Sequence, residues 1–331
     1  MKIRSQWVAF GVGVLLLLGL LNHVGLDEIL PLVRHTGWRF GWIVPYFLLP
    51  ILFATLSWKA FFCSQHAYPL TRVVRATWVG LACNWLLPVA QVGGEIAKAR
   101  MLSSPSRDLV PWAAMILDKT FQLVTQCCFG ALGLGLLLAF RFDQATFRLA
   151  LAGIGLLSLL AFGFWRMQRR GLMTLGHRWI QKILKSQSKQ EGAKLAQAMD
   201  ARVGELYLNR TKLLKSFAWR MCFRFAMAGE VYFIMGWMGH PVTYVEAVIF
   251  ESLGQTVRMA GFIVPAGLGI QEGALTLIGA ALGVSPAACL SLSVGKRLRE
   301  CLVGGPALLG WFLKWRQEPE VVGLQSSRSS L

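Results

Sequence analysis

The amino-acid sequence predicts an all-α protein that crosses a membrane several times. Hydrophobic residues make up 55% of the 331 positions and charged residues only 15%, whereas soluble domains are about a quarter charged. Apolar runs such as 7–26 and 40–62 are close to the ~20 residues that cross the hydrocarbon core of a bilayer. Proline and glycine interrupt two further apolar regions near their middles, which indicates broken membrane helices.

Six apolar stretches are predicted to be full membrane spans. They are 7–26, 40–62, 109–140, 147–165, 213–239 and 286–313. The first follows a short basic start, as the apolar part of a signal peptide does. It is long for such a segment and no small-x-small cleavage pattern follows it, so we interpret it as a retained helix.

The two interrupted regions, 73–104 and 242–284, are predicted to be re-entrant hairpins. Proline ends a helix and glycine frees the backbone to reverse. Each flanking half is too short to cross the bilayer comfortably, and irregular backbone at that depth must be buried in protein or line a wet cavity. The residues expected to form the hinges are Pro88, Gly93 and Gly94 in the first break, and Pro265, Gly267 and Gly269 in the second.

Three pairs of residues suggest an internal repeat. Pro88 and Pro265 differ by 177 positions, and the pairs Glu95/Glu272 and Lys119/Lys296 have the same offset. We therefore predict two copies, 36–140 and 213–317, each built as span, broken hairpin and span.

Charge placement gives one topology for the whole chain. Lys2 and Arg4 place the N-terminus in the cytoplasm, and Lys98, Arg100 and Arg107 at the exit of the first hairpin open it toward that side. The second hairpin has no basic cluster and is predicted to open from outside. Inverted repeats with broken helices are typical of secondary transporters. The predicted layout is one transmembrane domain, 1–317, followed by a polar cytoplasmic tail, 318–331.

The formal net charge of +18 is concentrated in one loop. Twelve Lys or Arg and three acidic residues lie between Arg166 and Lys215, so the loop 166–212 fits the positive-inside rule better than nucleic-acid binding. Trp179 and Ile180 recur with other apolar residues at helical spacing. The loop is either an amphipathic helix on an anionic leaflet or a solvated segment that only sets topology.

Ionisable residues lie deep inside several apolar regions, where each costs about 2.5–3.5 kcal/mol on insertion scales. One interpretation is a polar cleft between the hairpins that holds an anionic or hydroxyl-rich head group, with Glu95 and Glu272 as candidate proton carriers. The other is that the charges are ion pairs that hold broken helices together. The candidate pathway residues are Glu95, Glu272, Lys119, Lys296, Arg297, Asp118, Asn84, Arg258 and Arg224. Asn84 is better suited to cap freed backbone groups than to touch substrate.

Metal and cofactor sites have little support in the sequence. The seven cysteines form no CxxC, and the five histidines show no HxxxH or HExxH spacing. There is no GxxxxGK[ST] motif for a nucleotide. We therefore expect no cofactor.

The two breaks and their flanks resemble a known family. The motif residues are Asn84-Trp-Leu-Leu-Pro-Val-Ala-Gln-Val-Gly-Gly-Glu95, Lys98-Ala-Arg100, Asp118-Lys119 and Pro265-Ala-Gly-Leu-Gly-Ile-Gln-Glu272. They resemble the transmembrane region of lysylphosphatidylglycerol synthases, a flippase-like family, over roughly residues 5–317. The run Ser293-Val-Gly-Lys-Arg-Leu-Arg-Glu300 looks most like the branch associated with hopanoid biosynthesis. The resemblance implies movement of lipid between leaflets in a bacterial inner membrane. It does not extend to lysyl transfer, which a separate soluble domain performs.

The leading hypothesis is therefore a lipid transporter that is not an enzyme, with the bilayer and a lipid substrate as partners. Its alternatives are a membrane-embedded enzyme that modifies lipid head groups and a scaffold that holds lipid-synthesis enzymes. No Ser-His-Asp candidate or GxSxG motif supports the enzyme, and the basic loop would be the docking surface of the scaffold.

Overall fold

A computed structural model describes residues 37–62, 68–87, 93–103, 109–140, 144–171, 174, 189–260 and 270–315. Every regular element within these ranges is helical. A short 3-10 helix, Gly37–Trp42, precedes the first α-helix. The α-helices are α1 (Ile43–Lys59), α2 (Leu70–Leu86), α3 (Gly93–Leu102), α4 (Val110–Phe140), α5 (Gln144–Arg169), α6 (Lys189–Leu208), α7 (Arg210–Trp237), α8 (Tyr244–Ala260), α9 (Ile270–Leu282) and α10 (Pro286–Trp315).

Local sequence signals set several of the helix ends. Asn209 accepts a hydrogen bond from the backbone N–H of Lys212 and begins α7. Thr243 and Glu246 each accept from the other's backbone N–H, which is a capping box at the start of α8. Gly239 has a φ of 79°, which favours glycine, and it ends α7 after Trp237.

Three of the described helices are long and apolar enough to cross a membrane. They comprise Gly37–Lys59, Val110–Ala139 and Leu151–Gln168, and they overlap the predicted spans 40–62, 109–140 and 147–165. Large apolar side chains such as Leu159 and Phe162 are exposed on α5, as expected where lipid covers a surface. The predicted spans 213–239 and 286–313 each form one long helix, α7 and α10. The total of six spans stays a prediction, and 7–26 lies outside the described residues.

Both interrupted regions contain two separate helices. The first has α2 ending at Leu86 and α3 beginning at Gly93, and the second has α8 ending at Ala260 and α9 beginning at Ile270. At 1.5 Å per residue the 10-residue α3 is about 15 Å long, roughly half the hydrocarbon core. Pro88, Pro265, Gly267 and Gly269 lie outside the described residues, as does the tail 318–331. Re-entry from opposite sides stays a prediction.

Helices that correspond at the 177-residue offset have corresponding neighbours. By this offset α1, α2, α3 and α4 match α7, α8, α9 and α10. Within each half the hairpin helices pack together, α2 on α3 and α8 on α9, and between the halves α2 packs on α10 as α8 packs on α4. The first helices of the two halves, α1 and α7, also pack against each other. These matched contacts support the predicted repeats. The inverted orientation of the two copies in the membrane stays a prediction.

The basic segment contains more structure than the sequence indicated. Helix α6 occupies 189–208, and its Val203 and Leu206 are buried in one apolar cluster with Ala113 and Leu117 of α4. This part of the predicted loop 166–212 therefore packs against a membrane helix. Trp179 and Ile180 lie outside the described residues.

Helices α4 and α8 approach each other closely at Gly133 of α4. A Cβ atom on Gly133 would lie 1.7 Å from Oγ and 2.8 Å from Cβ of Ser252, whereas one on Gly135 would meet no atom within 4 Å. Gln126 of α4 also donates hydrogen bonds to the carbonyl oxygen of Ser252 and to Oγ1 of Thr256. The contact between the two halves thus depends on a small residue at Gly133.

We expect Gly133→Ala to lower the free energy of unfolding by about 1–3 kcal/mol, because the added methyl group forces α4 and α8 apart. The matched control Gly135→Ala, half a turn away, should be neutral or slightly stabilising, since alanine is the better helix former. Thermal melting of both variants in detergent micelles measures the difference. Equal melting temperatures would contradict the close contact.

Candidate functional site

A large number of charged side chains is buried in the helices of the two hairpins and their partners. The buried set comprises Glu95, Lys98, Asp118, Arg220, Arg224, Glu230, Glu251, Lys296, Arg297, Arg299 and Glu300. Removing one such ion from water costs several kcal/mol, so ion pairs and hydrogen bonds must compensate. The side chains form two groups, the first polar cluster around Asp118 and the second polar cluster around Arg299 and Glu300.

Asp118 is the centre of the first polar cluster. Its side chain is fully buried. Arg220 of α7 donates to both carboxylate oxygens, with Nη2 2.7 Å from Oδ1 and 2.6 Å from Oδ2. Lys98 of α3 donates to Oδ2 at 2.6 Å, and the hydroxyl of Ser57 donates to Oδ1 at 3.2 Å. One carboxylate thus links α1, α3, α4 and α7.

Gln122 connects the rest of this cluster. Its side-chain amide donates to Glu95 Oε1 at 3.0 Å and its Oε1 accepts from Lys119 at 3.2 Å. Its backbone carbonyl accepts from Nη2 of Arg224 at 2.9 Å. Lys98 also pairs with Glu95 Oε2 at 2.6 Å. Glu95, Lys119 and Arg224 therefore lie around one residue of α4.

The ion pair of Arg299 and Glu230 dominates one side of the second polar cluster. Arg299 Nε donates to Glu230 Oε1 at 2.6 Å and Nη2 to Oε2 at 3.2 Å. The guanidinium also lies 4.4 Å from the ring centre of Phe47 and 4.8 Å from that of Trp85. Aromatic faces and a bidentate carboxylate together compensate the buried charge.

Three more cations of this cluster are bound to carboxylates. Lys296 pairs with Glu251. Arg258 and Arg297 both contact Glu300, at 3.2 Å and 3.1 Å. The pairs Lys296–Glu251 and Arg258–Glu300 join α8 to α10, as Lys98 and Asp118 join α3 to α4, whereas Arg297 and Glu300 both lie on α10.

Glu272 of α9 lies close to this cluster. Its Oε1 accepts a 2.8 Å hydrogen bond from the hydroxyl of Ser293 on α10. Its counterpart at the 177-residue offset, Glu95, instead pairs with a lysine. The two matched carboxylates therefore have different neighbours, because the residue three positions later is Lys98 in one half and Leu275 in the other.

The structure distributes the predicted site residues over both clusters. Asp118, Glu95, Lys119 and Arg224 belong to the first; Lys296, Arg297 and Arg258 belong to the second. Asn84 belongs to neither. Its Oδ1 accepts from the backbone N–H of Gly94 at 3.0 Å, which is the capping role expected for it.

Sequence reasoning missed three participants. Lys98 was expected to mark the cytoplasmic exit of the first hairpin, yet it is 4% exposed and bound to Asp118 and Glu95. Gln122 and Glu251 received no role. A signal existed for Glu251, since a carboxylate amid the apolar residues of α8 needs a cation. No signal in the sequence showed that this cation is Lys296 and not one of the basic residues next to it, such as Arg297.

Comparison with known proteins agrees with the polytopic fold. Residues 6–305 match the family described as lysylphosphatidylglycerol synthase TM region. The chain belongs to this family. The chain is also 23% identical to the UPF0104 membrane protein PH1989 of Pyrococcus horikoshii, over 93% of this chain and 96% of that protein. No solved structure matches it.

This member of the lysylphosphatidylglycerol synthase TM region family thus combines broken helices with clustered charges inside a membrane protein. Chemically, the clusters offer guanidinium and ammonium donors for anions or hydroxyl groups, and carboxylates that accept protons or hydroxyl hydrogens. Within the described residues no three His, Cys, Asp or Glu side chains group as a metal site.

Proposed function

We propose that the protein is a lipid transporter of the flippase type, in which the lipid head group passes between the two broken hairpins while the acyl or polycyclic part stays in the bilayer. The observation that carries this proposal is the first polar cluster. It gathers charged and amide side chains from α3, α4 and α7 next to the Gly93–Gly94 start of α3. Ionisable residues in membrane segments most often mark substrate or ion pathways.

The matched helix contacts support a mechanism of alternating access. Two inverted copies, 36–140 and 213–317, would let one hairpin open while the other closes around the same head group. In this proposal Glu95 and Glu272 balance the cations of the empty site or carry protons. No step of the cycle needs bond making, so the protein is not an enzyme.

The family supports a lipid as the substrate without defining which one. The candidates are hopanoid-related and anionic lipids of a bacterial inner membrane. Both termini would lie in the cytoplasm, with the segment 166–212 on that side, where it could also contact enzymes of lipid biosynthesis.

A vesicle assay tests the proposal directly. The purified full chain is reconstituted with fluorescent analogues of an anionic phospholipid and of a hopanoid, and dithionite reports how much lipid reaches the outer leaflet. We expect wild type to move at least one analogue. Glu272→Gln should slow it about tenfold or more, which corresponds to about 1.4 kcal/mol of barrier, because the charge is lost while the group still accepts from Ser293.

The control is Glu205→Gln, which removes an exposed carboxylate of α6 bound to Arg202 and should leave transport unchanged. Mass spectrometry of the recovered lipid separates transport from chemistry, since a changed head group would favour an enzyme. If folded wild type moves neither analogue, the transporter proposal fails and the scaffold becomes the better explanation.

A further inference from the structure

Arg224 differs from the other buried arginines in its partners. It is 5% exposed, its Nη2 binds the carbonyl oxygen of Gln122, and its Nε has no hydrogen-bond partner. Among the described residues no carboxylate forms an ion pair with it, whereas Arg220, Arg258, Arg297 and Arg299 each have one. The guanidinium is thus buried with unused donor capacity.

Within the part of the chain that the structure describes, the charges around Arg224 do not balance. The first polar cluster contains four cations, Lys98, Lys119, Arg220 and Arg224, and two carboxylates, Glu95 and Asp118. The segments 88–92 and 261–269, whose placement is not described, contain no acidic residue. With the half-buried Lys119 included, the net charge of the cluster is near +2. Such a charge between membrane helices is costly, and an anion from outside the protein would remove most of that cost.

The corresponding contact in the other half is already neutralised. At the 177-residue offset Gln122 matches Arg299 and Phe47 matches Arg224. The contact of α10 with α1 therefore holds an arginine whose carboxylate partner is Glu230. The matched contact of α4 with α7 holds Arg224, which has no carboxylate partner among the described residues, beside Arg220, which binds Asp118. This asymmetry distinguishes Arg299, which an ion pair neutralises, from Arg224, which has no such pair among the described residues.

We propose that Arg224 binds a phosphate oxyanion and that Lys119 supplies a second positive charge. Both side chains donate to Gln122, Arg224 to its backbone carbonyl oxygen and Lys119 to its side-chain oxygen. A planar guanidinium with free donors is well suited to phosphate. Because the site lies within membrane helices, the phosphate belongs to a lipid head group. This deepens the transporter proposal and rests on it, since transport is what would bring a head group to Arg224. The proposal also assigns anion recognition to Arg224 and not to Lys296 and Arg297, which form ion pairs with Glu251 and Glu300.

Melting of the purified full chain in maltoside micelles tests the assignment, with the short-chain lipid dihexanoyl phosphatidylglycerol as probe. We expect this lipid to raise the melting temperature of wild type. Arg224→Met should melt higher than wild type without lipid, because an uncompensated buried charge is gone. It should also need about tenfold or more lipid for the same shift, the loss expected for a hydrogen bond to a charged group.

Two further variants keep the test decisive. Arg202→Met removes a half-buried arginine of α6 that lies in neither polar cluster, and it should retain the full lipid-dependent shift. Arg224→Lys keeps the charge but not the planar fork, and should retain part of that shift. If Arg224→Met fails to fold, or melts lower than wild type without lipid, Arg224 is a structural residue and the proposal is overturned.

Separate arms identify the source of the anion. Inorganic phosphate at the same concentration should shift wild type less than the lipid does; an equal shift would show a site for free phosphate and overturn the lipid assignment. Dihexanoyl glycerol, which lacks the phosphate, should give no Arg224-dependent shift. The inference fails alone if vesicles move lipid while no Arg224-dependent shift occurs. The transporter proposal fails alone if that shift occurs and no lipid moves.

Discussion

Asp118→Asn is expected to lower the free energy of unfolding by about 3–5 kcal/mol, the cost of leaving a buried charge without its partner. Asparagine has the same shape but no charge, so Arg220 loses its bidentate partner and Lys98 keeps only Glu95. The exchange also weakens the hydrogen bond from Ser57. Tryptophan fluorescence during unfolding in mixed micelles of maltoside and dodecyl sulfate measures the change.

A double-mutant cycle shows whether the loss arises from the ion pair. Adding Arg220→Met to Asp118→Asn should restore part of the stability, because the stranded guanidinium is removed together with its carboxylate. Glu205→Gln, on the exposed pair with Arg202, should cost less than about 1 kcal/mol. If Asp118→Asn is as stable as wild type, this carboxylate does not hold α3, α4 and α7 together.

Much of the helix layout could be predicted from the sequence, because membrane helices need long apolar runs. The predicted spans 40–62 and 109–140 coincide with α1 and α4 to within a few residues. The breaks were predictable as well, since proline and glycine have local effects on the backbone. Helix α6 was not, because it carries many charges and its stability comes from Val203 and Leu206 packing on α4.

Partners within the polar clusters were much less predictable. Asp118 was identified as a buried charge from its depth in an apolar run. Its partner Arg220 is 102 positions away on α7, and no local pattern specifies a pairing at that distance. Lys98 was misplaced because a lysine in a short helix, close to Arg100, resembles a topology signal, whereas its ammonium group is bound inside the protein. Pairing depends on tertiary packing, which periodicity does not encode.

The largest steric effect is expected at Gly94, where the two helices of the first hairpin touch. A Cβ atom there would lie 2.0 Å from the carbonyl oxygen of Gly80 and 2.6 Å from Oδ1 of Asn84. The backbone oxygen cannot rotate away, and Asn84 would lose its hydrogen bond to the Gly94 N–H. We expect Gly94→Ala to cost about 3 kcal/mol or more, at or above the usual range for overpacking, and to abolish lipid movement in the vesicle assay.

Gly273→Ala is the matched control in the second hairpin. It lies near the start of α9 as Gly94 lies near the start of α3, and a Cβ atom on it would meet no atom within 4 Å. Alanine there should stabilise the helix by about 0.5–1 kcal/mol. Opposite signs for the two substitutions, measured by melting and by hydrogen exchange of the α3 amides, would show that α2 and α3 depend on a glycine contact. Stabilisation by both substitutions would instead trace the effect of Gly94→Ala to helix propensity, and it would mean that the packing of the first hairpin tolerates a side chain.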